Sequence, residues 1–285
     1  MSRVVYVNGA YVAEEQAKIS VFDRGFLFAD GVYEVSSVLR GQLVDNKGHL
    51  TRLHRSLNEL DMAAPASDAE IEAIQKALIE KNDVDQGLVY LQITRGAADR
   101  DFAYPQDAKP SLVMFTQKKN LIDSPQAKSG IAVVGVDDIR WRRRDIKTVG
   151  LLAPCMAKMQ AKRAGADDAW MVEDGFVTEG SSNNAFIIDA EGTLVTRQLG
   201  NEILAGITRK AVLTLAEEQQ IRFEERPFGI DEACIAKEAF ITSATTFVMP
   251  VVSIDGKPVA DGRPGKLTQR LRELYIETAL GAARD

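Results

Sequence analysis

The sequence is poor in the residues that cross-link or metallate small proteins. Its 285 residues include two cysteines, Cys155 and Cys234, and two histidines, His49 and His54. That excludes a disulfide framework, and with it a zinc site built mainly from imidazole and thiolate. His49 and His54 share one helical segment at a spacing that points them to different faces, so they read as ordinary surface or half-buried histidines. The GxxxxGK[ST] phosphate loop, a GxGxxG turn after the first strand and the GxSxG nucleophile elbow are missing as well. No stretch approaches the roughly 20 apolar residues that span a bilayer. The opening MSRVVYVNGAYV shows no charged leader ahead of a long apolar run. Lys and Arg number 35 against 41 Asp and Glu, a net charge of −6 without a basic stripe, which argues against nucleic acid or an anionic membrane as partner. What is present is 45% hydrophobic and 27% charged residues, enough apolar material for one large domain or two modest ones. The expectation is a soluble, cytoplasmic, globular protein.

Hydrophobic periodicity and turn chemistry divide the chain into many short strands and fewer helices. Val4–Val7 and Ala10–Val12 flank Asn8-Gly9, a type I′ hairpin signal. Val32–Leu39 returns through Arg40-Gly41 to Gln42–Val44 as a second hairpin. Leu50, Leu53, Leu57 and Leu60 recur at helical spacing, predicting an amphipathic helix over 49–62. Ser67-Asp68 opens another helix to about Lys81, with an Asp near its start as the expected cap. Strands follow at 88–95 and 111–117, separated by the irregular charged loop Gly96–Pro105. A polar, Pro-containing stretch then predicts a linker at 120–125, separating a domain of 1–119 from one of 126–285. The second domain carries expected strands at 131–136, 169–172, 185–188, 194–196, 240–242 and 250–254, and helices at 153–164, 208–219 and 266–280. Strands outnumber what a βαβ alternation gives, so an α+β architecture fits better than a doubly wound one. No repeat of 20–50 residues is visible.

Four segments stand out chemically. Trp141-Arg142-Arg143-Arg144-Asp145-Ile146-Lys147 is a cationic run ending in a lysine, which by itself reads as a solvated basic patch. Thr178-Glu179-Gly180-Ser181-Ser182-Asn183-Asn184 places a carboxylate beside small turn formers. Ile203-Leu204-Ala205-Gly206-Ile207-Thr208-Arg209 enters a helix, whose N-terminal N–H groups suit a phosphate. Thr242-Ser243-Ala244-Thr245-Thr246 is a further small-residue turn. Together they offer one amine, one carboxylate and two anion cradles, the equipment for a phosphorylated aldehyde cofactor.

The same four segments in the same order, with Phe28–Val35 and Arg52 upstream, resemble the fold-type IV pyridoxal-phosphate enzymes over nearly the whole chain. Within that group the chain resembles most the D-amino-acid transaminases. The resemblance implies a small N-terminal α/β domain, a larger C-terminal domain with a pseudo-barrel β core, pyridoxal 5′-phosphate as cofactor, and a homodimer. It implies Lys147 as the amine that condenses with the cofactor aldehyde and then moves the substrate proton. Glu179 would hydrogen-bond the pyridine nitrogen, keeping the ring an electron sink. Arg142 to Arg144 would add a positive field around the lysine if any of them pointed inward. Arg52, Ile207, Thr208, Ala244 and Thr245 would hold the phosphate, Leu204 would pack on the ring, and Ser182 would lie near its other edge. Tyr33 and Arg100 match two of the three residues that grip a substrate carboxylate, Arg100 reaching into a neighbouring subunit's site. Phe102 stands where the third, a histidine, is expected; guanidinium can still bind a carboxylate in bidentate fashion. An exposed Arg100 paired with Asp99 or Asp101 is the plainer alternative. The implied activity is transfer of amino groups from D-alanine- or D-glutamate-like donors to 2-oxo acids. Branched-chain L-amino-acid or (R)-amine transamination, aminodeoxychorismate cleavage and a non-enzymatic cofactor carrier remain alternatives.

Overall fold

A computed structural model describes residues 2–282. The chain forms two compact units. The first comprises residues up to Asn120, Ile146–Gly150 and those from Ala279 onward; the second comprises Leu121–Asp145 and Leu151–Thr278. The sequence division at 120–125 assigned everything after it, Lys147 included, to the second domain. The structure instead returns Ile146–Gly150 to the first unit, because its backbone pairs with a strand there.

The first unit is a six-stranded antiparallel sheet built from β1 (Val4–Val7), β2 (Ala10–Ala13), β3 (Gly31–Leu39), β4 (Gln42–Leu43), β5 (Gln86–Thr94) and β6 (Ser111–Lys118) in the order β2-β1-β6-β5-β3-β4. Both expected hairpins form. Asn8 and Gly9 take φ of 47° and 99°, and Arg40 and Gly41 take 51° and 72°, the left-handed pair that a type I′ turn needs. Three helices accompany the sheet: α1 (Arg24–Phe28), α2 (Asn46–Glu59) and α3 (Asp68–Lys81). The helix expected at 49–62 begins and ends three residues earlier. Asp61, at φ 48°, turns the chain after Leu60, and Met62 N–H closes on Leu57 O at 3.0 Å. The cap of α3 is Ser67, not an Asp: Ser67 Oγ accepts from Glu70 N–H while the Glu70 carboxylate accepts from Ser67 N–H, a reciprocal capping box.

Strand β3 shows how alternation sorts chemistry. Its even-numbered side chains Val32, Glu34, Ser36 and Val38 are buried, and Val32 packs with Leu50, Leu53, Leu57, Ile71, Leu78 and Ile146. Its odd-numbered Tyr33 and Val35 face the other way and are half-buried. Residues 146–150 add an extended segment along β3: Val32 bridges Thr148, Tyr33 N–H donates to Lys147 O at 3.0 Å, and Val149 N–H donates to Gly31 O at 3.0 Å.

The second unit is a nine-stranded mixed sheet of β7 (Ile131–Asp137), β8 (Asp168–Glu173), β9 (Phe176–Gly180), β10 (Asn184–Ile188), β11 (Leu194–Thr196), β12 (Phe223–Glu225), β13 (Glu238–Ser243), β14 (Phe247–Ile254) and β15 (Lys257–Pro258). The order is β12-β11-β10-β13-β14-β7-β8-β9, with β15 on β14. The β11/β12, β14/β7 and β7/β8 pairs are parallel and the rest antiparallel. The end strand β9 runs straight into β10, with Gly180 N–H donating to Asn183 O at 2.8 Å, so the sheet curls into a half-barrel. Trp170, Val177, Ile187 and Phe228 anchor its core. The helices are α4 (Pro125–Ser129), α5 (Leu152–Arg163), α6 (Ile207–Glu218), α7 (Ile230–Cys234) and α8 (Lys266–Ala282), whose residues from Ala279 belong to the first unit. The α+β expectation holds, and the regular helices expected at 153–164 and 208–219 each appear one residue earlier. Among the described residues no helix is long and apolar enough to cross a membrane.

Candidate active site

In the first unit, alternation along the extended 146–150 segment decides where the lysine goes. Ile146 enters the core on the helical side of the sheet, so Lys147 emerges on the opposite face, the face of Tyr33. Its Nζ lies 4.3 Å from the centre of the Tyr33 ring. Tyr33 in turn stacks on Tyr90 at 5.6 Å, and burial together with the neighbouring phenol pushes the Tyr90 hydroxyl up to about 12. A lysine amine resting on an aromatic face is poised without an acidic partner at this contact.

Beneath that face lies a group the sequence reading did not assemble. Glu34 receives Arg52 on both carboxylate oxygens, Nε to Oε1 and Nη2 to Oε2, each at 2.7 Å. His49 Nδ1 meets Oε2 at 2.7 Å. All three side chains are buried. Burial alone would raise the Glu34 carboxyl, but the Arg52 charge and hydrogen bonds, with those of His49, outweigh it and hold the group at about 2. His49 is therefore not the ordinary surface or half-buried residue expected; it completes a buried ion cluster, because the α2 turn that presents Arg52 presents His49 three residues earlier. His54 is half-exposed and pairs with Asp68 at 2.5 Å.

In the second unit Glu179 sits at the end of β9 rather than in a turn between strands, and the residue is 5% exposed. One carboxylate oxygen accepts from Arg140 Nη1. The other accepts from Asn184 Nδ2 at 3.0 Å and from Leu204 N–H at 3.1 Å. Asn184 Nδ2 also donates to Leu204 O at 3.0 Å, tying the carboxylate to the loop that enters α6. Arg140 continues to Asp138 at 2.7 Å, and Asp138 also accepts from Thr178 Oγ1. Burial opposes the Arg140 charge, yet Glu179 and Asp138 raise it further above the ordinary guanidinium range; Asp138 is correspondingly lowered. Glu179 is thus held by a permanent cation. The positive field expected from Arg142 to Arg144 is neutralised locally: Arg142 is exposed, Arg143 pairs with Asp145 at 3.0 Å, and Arg144 pairs with Glu173 at 2.6 Å.

Helix α6 has Gly206 as its N-cap and so no side-chain cap, leaving the N–H groups of its first turn, Ile207 and Thr208 included, for another acceptor. Gly206 has no room for a side chain, since a Cβ there would lie 2.0 Å from Asn184 Oδ1. Ala244 and Thr245 are half-buried in the turn after β13, where Ser243 and Thr246 hydroxyls bond at 2.8 Å. Leu204 is half-buried, whereas Ser182 is exposed; its neighbours Ser181 and Asn183 are the buried ones, both bonded to Asp168. Arg140 and Asn184 were missed from sequence. Asn184 shares the run Thr178–Asn184 with Glu179, the one signal for it; nothing local marked Arg140.

Loop 96–110 of the first unit carries Arg100 and Phe102, both exposed. Arg100 makes no ion pair among the described residues, Asp99 and Asp101 included; its guanidinium lies 5.3 Å from the Phe28 ring and 5.5 Å from Phe102. Phe28 and Phe102 meet edge to face at 5.6 Å.

Taken separately, the first unit's amine on an aromatic face and the second unit's buried carboxylate, bound by a guanidinium and tied to an uncapped helix start, are each groups that suit a phosphorylated pyridine aldehyde. The chain matches the class IV amino-transferases over residues 31–254 and belongs to that family. It is 37% identical over 280 residues to a D-alanine aminotransferase of Staphylococcus aureus (strain MSSA476), covering 96% of this chain and 98% of that one. It is equally identical over 276 residues to the D-alanine aminotransferase of Bacillus licheniformis, covering 97% and 95%. Among solved structures, a T.th. branched-chain amino acid aminotransferase with pyridoxamine 5′-phosphate superposes with a TM-score of 0.92 at 25% identity, over 99% of this chain and 95% of that one. The Escherichia coli branched-chain enzyme, 22% identical over 98% of this chain and 95% of that one, shares the fold at a TM-score of 0.88. The protein is a pyridoxal-phosphate-dependent aminotransferase of fold type IV, acting on an amino acid and a 2-oxo acid.

Proposed function

We propose that the enzyme transfers amino groups from D-amino acids of the D-alanine and D-glutamate type to 2-oxo acids, in two half-reactions that share one site. The observation that carries this reading is Arg100, an exposed guanidinium without a carboxylate partner among the described residues, in a chain similar along its length to D-alanine aminotransferases. A free guanidinium fork is the natural receiver for an amino-acid carboxylate.

When bound, pyridoxal phosphate supplies an electrophilic aldehyde and an electron-withdrawing ring that stabilises negative charge at the substrate Cα. Lys147 Nζ would hold the cofactor and serve as the base at the donor's Cα. Glu179, bound by Arg140, would hydrogen-bond the ring nitrogen. Ile207, Thr208, Ala244 and Thr245 would hold the phosphate, as would Arg52, whose plane is set by Glu34. Leu204 would pack on the ring, and Ser182 would lie near its other edge. Tyr33, Arg100 and Phe102 meet the substrate, and the enzyme works as a homodimer.

A second reading, transamination of branched-chain L-amino acids or (R)-amines, is favoured by the apolar Phe102 and by the solved branched-chain neighbours. The deciding experiment mixes the yellow holoenzyme separately with D-alanine, D-glutamate, L-leucine and an (R)-amine. Conversion of the cofactor to its aminated form by the D-amino acids is expected. Conversion by L-leucine alone, or by the amine alone, would overturn the D-amino-acid reading.

A further inference from the structure

The loop bearing Arg100 and Phe102 has no regular secondary structure, yet it is held from three sides by the segment Asp23–Asp30. Asp23 fixes its two roots. One carboxylate oxygen accepts from Thr94 Oγ1 at 2.9 Å and Ser111 Oγ at 2.8 Å, the register partners where β5 ends and β6 begins. The other accepts from Gly25 N–H at 2.8 Å, capping α1. Arg24 N–H donates to Gly96 O at 2.8 Å, and Gly96 takes φ of +97° where a Cβ would strike the Lys109 carbonyl.

The Arg24 side chain reaches the tip of the same loop. It is 3% exposed and donates from Nη1 to the carbonyl of Asp101 at 2.6 Å and to that of Ala103 at 3.4 Å. Its Nε is held by Asp30 Oδ2 at 2.7 Å. The same Asp30 oxygen accepts from Arg95 Nε at 2.8 Å. Arg95 in turn binds the carbonyls of Leu60 and Asp61 at the end of α2, and its guanidinium lies 3.6 Å from the Tyr104 ring. One buried carboxylate thus aims two buried guanidinium groups, one onto the peptide either side of Phe102, the other onto the ring of Tyr104. The backbone carrying Arg100 and Phe102 has few other places to go.

We propose that Arg24, aimed by Asp30, is a positioning residue for carboxylate recognition: by pinning the carbonyls of Asp101 and Ala103 it sets where Arg100 and Phe102 present their side chains, so substrate affinity depends on a guanidinium that touches no substrate. This rests on Arg100 gripping the substrate carboxylate. Misplacing a binding group by about 1 Å can cost up to roughly 100-fold, so losing the pin is expected to show in binding before chemistry.

The test is a double-mutant cycle on the holoenzyme, read as the dependence of the half-reaction rate on donor concentration. Arg24→Lys keeps the buried charge but cannot serve Asp30 and both carbonyls; Tyr104→Ala loosens the same loop from an exposed position and provides the reading if Arg24→Lys does not fold. Both are expected to raise the apparent dissociation constant for the amino acid about tenfold while leaving the limiting rate and the cofactor absorbance within about twofold. Arg24→Lys added to Arg100→Ala is expected to cost no more than Arg100→Ala alone, since one acts through the other. Additive losses, or a dissociation constant unmoved by both Arg24→Lys and Tyr104→Ala while Arg100→Ala raises it, overturn the proposal. An unmoved dissociation constant in Arg100→Ala overturns instead the reading of Arg100 on which it rests.

Discussion

At the residue scale, two buried carboxylates, Glu34 and Glu179, are each bound by a guanidinium partner. Glu34 is the clearer case. Its folded value of about 2 lies below the ordinary 4.5, so its ion cluster stabilises the fold fully above that ordinary value and the stabilisation is lost as pH falls toward 2. The shift corresponds to roughly 3 kcal/mol. Glu34→Gln should therefore lose about that much in urea unfolding at neutral pH, with the gap from the parent closing as pH drops from 4.5 toward 2. A gap of constant size over that range would contradict the assignment. Arg140 supports Glu179 and Asp138 together. Arg140→Met removes the cation shared by two buried carboxylates, leaving Asp138 to Thr178 and Arg144 and Glu179 to Asn184 and the Leu204 N–H, and should cost about 3 kcal/mol in holoenzyme unfolding, with Arg140→Lys recovering part of it. Lys147 and Glu179 stood out in the sequence as candidates because they lie inside ordered motifs. Arg140, Glu34 and His49 were not, since each acquires its role from a partner distant in sequence.

Elements contribute through their ends. The α6 N-terminus is uncapped and pressed against Asn184, with no space for a Cβ at Gly206. Gly206→Ala must displace the Asn184 amide that joins Glu179 to Leu204. Titration of the apoenzyme with pyridoxal phosphate should show about tenfold weaker binding, near 1.4 kcal/mol. Unchanged affinity would show that the Asn184 link does not shape the cofactor site. Strand and helix identities followed from periodicity, as at β3, α5 and α6. Boundaries were less legible where tertiary contacts intervened: α2 starts early after the left-handed Asp45, and β14 starts at Phe247, three residues ahead of the sequence expectation, because it pairs with β13 from Ser243 on.

For the whole molecule, the second unit's α5 leaves Leu152, Met156 and Met159 exposed at one-turn spacing, an apolar stripe consistent with the proposed homodimer. Light scattering should give twice the 31.2 kDa chain mass, and Met156→Glu with Met159→Glu should lower it toward the single chain. A parent protein that scatters as one chain would remove the dimer from the proposal.

Local sequence was sufficient for the hairpins, the amphipathic helices, the α+β class and the set of motifs that mark the cofactor chemistry, because turn residues and hydrophobic periods act over a few positions. Only tertiary structure decided that Ile146–Gly150 leaves its sequence neighbours to pair with β3, which turns Ile146 into the core and Lys147 onto the face of Tyr33. It likewise decided which arginine faces Glu179. Strand pairing and ion pairing join residues far apart in the chain, and no local pattern encodes which distant partner an exposed edge or a charged side chain will find.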